Sequence, residues 1–204
     1  MTIAGRRPLV RAPGVLFALA LLTTVPILVR VVLPMLDGAG WGAHRGHLGL
    51  VLVHVAGGLA MLFLGAAAMF IGWTRRGFAW HRWIGYSYLS LGSTGAAAAL
   101  LLAWQAPHEP KSLYMATGTL AAVWLLVAAM AFRAARNRRF EAHRQWMIRS
   151  YVLSWTFVGC RIATLVDVYP WLGAESVTTA IWINWVVPLV LCEVALQWRS
   201  GARV

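Results

Sequence analysis

Three polar residues stand inside otherwise apolar runs of this sequence: His54, Arg161 and Asn184. Counting about 1.5 Å per helical residue from the ends of those runs puts them about 10, 9 and 8 Å below the same surface, so they share one layer. A guanidinium at such a depth is costly and demands a partner or a wet cavity. No carboxylate lies at that level, since Asp167 is six residues further out than Arg161. The set therefore suits an anionic ligand: a carboxylate, a phosphate or a haem propionate. In the alternative reading Arg161 reaches outward to Asp167 or to lipid headgroups, while His54 bonds a backbone carbonyl.

A second set lies at the opposite surface. His81 and His143 each precede an apolar run and are each followed by arginine, Arg82 and Arg144. Two imidazoles at one depth on two helices have the chemistry to ligate a haem iron axially, with Arg82 and Arg144 to meet its propionates. The alternative is helix capping and interfacial hydrogen bonding, because both stand where a helix begins. A b-type haem could also take His54 at the outer level, with Met115 as the other ligand. His44, His47 and Asp37 fall short of any strong zinc pattern. Arg149 and Glu193 lie within about two turns of the inner surface and are expected to pair. Walker, H-E-x-x-H and G-x-S-x-G motifs are absent, which removes nucleotide hydrolysis and the common hydrolytic routes.

The elements that must position these groups follow from composition. The 204 residues are 60% hydrophobic and 12% charged with a mean hydropathy of +0.69, well beyond what one soluble core buries. Soluble enzymes, disordered chains and disulfide scaffolds are excluded. Six apolar stretches, 13–35, 47–73, 83–104, 112–132, 146–167 and 179–198, approach the length a helix needs to cross a bilayer. The expected fold is thus an all-α integral membrane protein of six transmembrane helices. The basic tail 1–12 and the short tail 200–204 lie outside them. Fourteen of the eighteen Lys and Arg fall in the N-terminal tail, the second-to-third and fourth-to-fifth connections and the C-terminal end. Both termini are therefore expected in the cytoplasm, and the charge of +12 serves topology rather than nucleic acid.

An internal duplication runs through the middle. Arg75-Arg76-Gly77-Phe78-Ala79-Trp80-His81-Arg82-Trp83 parallels Arg138-Arg139-Phe140-Glu141-Ala142-His143-Arg144-Gln145-Trp146. Segments two and three would form one hairpin and segments four and five another in the same orientation, a parallel repeat with segments one and six beside it. A topogenic basic loop with a tryptophan anchor explains much of the pattern but not the recurring histidine.

The paired turns, above all His143-Arg144-Gln145-Trp146-Met147-Ile148-Arg149-Ser150-Tyr151 and His81-Arg82-Trp83-Ile84-Gly85-Tyr86, resemble the bacterial predicted-membrane-protein family catalogued as domain of unknown function 2306, over roughly residues 47–165. That resemblance implies a multi-pass protein of a bacterial cytoplasmic membrane and brings no activity. More loosely, histidines at both membrane faces are similar to membrane cytochromes of the b561 and ferric-reductase kind. Three functions stay open. A haem protein would pass electrons to quinone or another redox partner, a transporter or ligand-binding protein would receive an anion on Arg161, His54 and Asn184, and an assembly subunit would carry no site. The small residues Gly57-Gly58 and Gly95 to Ala99 suit close helix packing, within one chain or between chains, so the oligomeric state stays open too.

Overall fold

A computed structural model describes residues 46–105, 111–166 and 168–201, together with single positions between 15 and 33. Most of the first expected segment, and with it His44, Asp37, His108 and Asp167, lies outside the described residues. Six α-helices follow in order: α1 Leu48–Thr74, α2 Phe78–Gln105, α3 Lys111–Arg136, α4 Phe140–Ser154, α5 Thr156–Leu165 and α6 Ser176–Gly201, the last preceded by a 3₁₀ turn at Pro170–Glu175. No strand occurs among the described residues. Closed intrahelical hydrogen bonding is what an apolar chain needs where water is absent. Four helical stretches, Leu48–Thr74, Phe78–Gln105, Lys111–Arg136 and Pro170–Trp198, are long and apolar enough to span a bilayer.

The fifth expected segment departs from the sequence reading. It forms two helices that meet at Trp155, where the backbone N–H bonds the Val152 carbonyl three residues back at 3.2 Å. Neither proline nor glycine stands at this break. Ser154 Oγ donates to the Ser150 carbonyl at 2.9 Å, the kind of side-chain back-bond that bends helices. Pro188, by contrast, sits within the unbroken α6.

α1 pairs with α2, and α3 with α4; α2 packs on α3 and α1 on α4, which closes a four-helix ring, while α6 lies against α3, α4 and α5. The tightest crossing is α1 on α2. A Cβ built on Gly57 would stand 2.6 Å from Gly95 Cα, so only glycine lets these backbones meet. The ring's centre holds Tyr88, Leu62, Ser150 and Leu153, all almost fully buried. Both hairpin turns pass through a left-handed arginine, Arg75 at φ 59° and Arg138 at φ 56°.

Candidate functional site

The ring is not filled along its whole length. A cavity of about 420 Å³ opens in the half away from the hairpin turns, between α1, α2, α3, α5 and the start of α6. Met61, Leu102, Leu113, Leu120, Trp124 and Ile181 make its wall mostly apolar. His54 and Arg161 both line it, so the two are brought to one space as their depths implied. His54 Nδ1 donates to the Gly95 carbonyl at 3.1 Å, made reachable by the Gly57–Gly95 crossing. In the neutral ring that bond selects the tautomer whose Nε2 is an acceptor. The backbone contact foreseen for His54 is present, and the residue still faces the cavity.

Arg161 has no hydrogen bond or ion pair with any described residue. Two further polar atoms on the wall, Tyr114 Oη and Thr178 Oγ1, are buried and also without hydrogen-bond partners among the described residues. Thr117, Ser154, Thr156 and Cys160 complete the polar part of the lining. Glu175 stands beside the lining residue Ala174, yet its carboxylate accepts from Ser112 Oγ at 2.7 and 3.0 Å on the exposed side. Arg161, Tyr114 and Thr178 thus share the wall of a mostly apolar chamber that no described carboxylate lines.

Asn184 shares the level but not the cavity. Its Nδ2 donates to the Ala180 carbonyl at 2.8 Å, and its Oδ1 lies where a Cβ on Gly159 would be, so the amide fills the α5–α6 contact. Met115 is 66% exposed and is not among the residues that line the cavity with His54. Thr178 escaped the sequence reading because a threonine in an apolar helix usually bonds its own backbone, and Tyr114 because a tyrosine near the end of an apolar helix reads as an interfacial anchor.

At the other end of the ring, His81 and His143 meet. Their ring centroids are 6.4 Å apart and their planes nearly perpendicular. His143 Nδ1 donates to the Ala131 carbonyl at 2.9 Å. Phe78 stacks on His81 at 5.3 Å. Arg144 is held by Glu141 through bonds of 2.7 and 3.0 Å, and Arg82 lies over the Tyr86 ring at 5.6 Å. The expected pair of Arg149 and Glu193 is formed bidentately, with Arg149 also over the Trp146 ring at 4.8 Å. No group of three or more His, Cys, Asp or Glu that could hold a metal ion occurs among the described residues.

Over residues 51–196 the sequence matches the family described as predicted membrane protein, DUF2306. The chain belongs to that family. No curated protein and no solved structure matches it. The family assignment covers α1 to most of α6 and so includes the cavity, the histidine pair and the Arg149–Glu193 bridge of this DUF2306 protein.

Proposed function

We propose that this DUF2306 protein is a membrane carrier for a small amphiphilic monoanion, a carboxylate with an apolar body, which it holds in the cavity under Arg161. Arg161, without a hydrogen bond or ion pair to any described residue and lining a mostly apolar chamber, is the observation that carries the reading. An isolated cation in low dielectric is stabilised by an anion and by little else, and Tyr114 and Thr178 supply the donors that orient a carboxylate. The volume lies in the range that encloses small molecules. The helix break at Trp155 borders the chamber through Ser154 and Thr156, as interrupted helices do at transporter sites.

In this reading the chain crosses the membrane six times with both termini in the cytoplasm. α4 and α5 together make the fifth span, about 39 Å of helix, and the segment 13–35 makes the first. The two hairpins are copies of one parallel repeat in a bacterial cytoplasmic membrane. The matching left-handed turns at Arg75 and Arg138 support the repeat. In its register Thr117 takes the place corresponding to His54, which accounts for the lack of a second outer imidazole.

Thermal unfolding in nanodiscs tests the proposal, with octanoate, octanol and octylamine as probes. Octanoate should raise the midpoint and octanol and octylamine should not, and Arg161→Gln should abolish the shift. Equal stabilisation by octanol would overturn it.

A second reading rests on the approach of His81 to His143. The Nδ1 bond of His143 to the Ala131 carbonyl would orient the ring and leave its Nε2 for iron, as a backbone carbonyl does for many imidazole ligands. His81 and His143 would hold a b-type haem, which would supply one-electron chemistry towards a quinone or another redox partner. Arg144 does not fit the propionate role while Glu141 holds it. A Soret band in protein purified from haem-supplemented cells, lost in His143→Ala, would support this reading. A colourless folded protein would exclude it.

A further inference from the structure

Beyond the cavity, the inner end of the α2–α3 seam carries a feature that neither the anion site nor the histidine pair uses. Arg82 of α2 lies over the Tyr86 ring at 5.6 Å, Tyr86 touches Phe132 of α3, and Arg136 stands one turn beyond Phe132, so two arginines flank one phenol. Two guanidinium groups repel each other, and their convergence on a neutral phenol leaves that charge uncompensated. The inner-end carboxylates among the described residues are engaged elsewhere, Glu141 with Arg144 and Glu193 with Arg149. The first turn of α2 contains no acidic residue either, so the positive end of the helix adds to the arginine field.

The setting is the lipid boundary. Tyr86 and Phe132 touch across the seam with ring centroids 6.4 Å apart, and both are exposed on the outer surface of the bundle together with Trp83. Arg82 lies about one turn into α2 and Arg136 ends α3, which places both at headgroup level with aromatic side chains towards the hydrocarbon. The adjacent turns keep arginine at the left-handed positions 75 and 138, where glycine would relieve about 1–2 kcal/mol of backbone strain. A rule that only counts positive charge on the cytoplasmic side does not call for arginine at strained positions, nor for two arginines on one phenol.

We propose that this seam is a binding site for an anionic phospholipid, with the lipid phosphate held between Arg82 and Arg136 and the Tyr86 hydroxyl, and the glycerol and upper acyl chains lying on Trp83 and Phe132. Arginine's planar fork suits a phosphate oxygen pair, and each basic side chain at the interface strengthens binding to anionic lipid. The site stands independently of the carrier reading.

Native mass spectrometry of the full chain, released from nanodiscs containing equal phosphatidylglycerol and phosphatidylcholine, tests it. The wild type should retain phosphatidylglycerol preferentially, and the double variant Arg82→Gln/Arg136→Gln should lose that preference by about tenfold or more. Arg133→Gln/Arg139→Gln removes the same charge nearby and should keep the preference, while Tyr86→Phe, which leaves the fold intact, should weaken it. Added glycerol 3-phosphate should not displace the lipid. An equal loss in both double variants would reduce the effect to general charge and overturn the proposal, as would no preference in the wild type. Displacement by glycerol 3-phosphate would assign the arginines to a soluble phosphate and overturn the lipid assignment.

Discussion

Replacing Glu193 by glutamine isolates the energetics of the ion pair between α4 and α6. The Arg149 side chain is 12% exposed and that of Glu193 is 40% exposed, so the two halves of the pair are not equivalent. Glu193→Gln leaves a buried guanidinium with only the Trp146 ring and a weak amide acceptor, and should cost about 3 kcal/mol, the lower end for breaking a buried pair. Arg149→Met leaves a carboxylate that can still reach the interface, and should cost about half as much. The double variant removes both charges, so it should be about as stable as Arg149→Met alone, giving a coupling energy of about 3 kcal/mol. Titration with sodium dodecyl sulfate in mixed micelles, followed by far-ultraviolet circular dichroism, measures all four proteins. Simple additivity of the two single costs would refute the reasoning and show that Arg149 is held by Trp146 rather than by Glu193.

Two further outcomes follow from the packing. Gly57→Ala should destabilise the protein by about 2 kcal/mol in the same titration, because the new methyl would stand 2.6 Å from Gly95 Cα and force α1 and α2 apart. Tyr88→Phe removes a hydroxyl bonded to Ser150 Oγ at 2.7 Å and Ser154 Oγ at 3.2 Å, but Ser154 already donates to the Ser150 carbonyl and Ser150 can turn to a backbone carbonyl, so the cost should be only about 1 kcal/mol.

Helix content and level were legible in the sequence; rotation about the helix axis was not. Rise per residue placed His54 and Arg161 in one layer and Arg149 beside Glu193, and in each case the side chains share a space in the fold. The same count placed Asn184 with them, yet height says nothing of azimuth, and the α5–α6 contact that Gly159 permits turns Asn184 away from the cavity. Arg144 is engaged by Glu141, three residues earlier on the same helix, a pairing that its i, i+3 spacing makes available before any cofactor. The break at Trp155 gave no proline or glycine signal, and its only trace is the pair Ser150 and Ser154, one turn apart. Pro188 gave the signal without the break, since surrounding helices can satisfy what a proline frees.

The central claim is that the chamber under Arg161 receives a carboxylate. Its most direct test is an anomalous-scattering map of the crystallised protein soaked with 8-bromooctanoate. The account predicts a bromine peak among Met61, Trp124 and Leu120 with the carboxylate on the Arg161 guanidinium, and no peak in Arg161→Gln. An empty chamber in the wild type, or a bromine site that persists unchanged without Arg161, would contradict it.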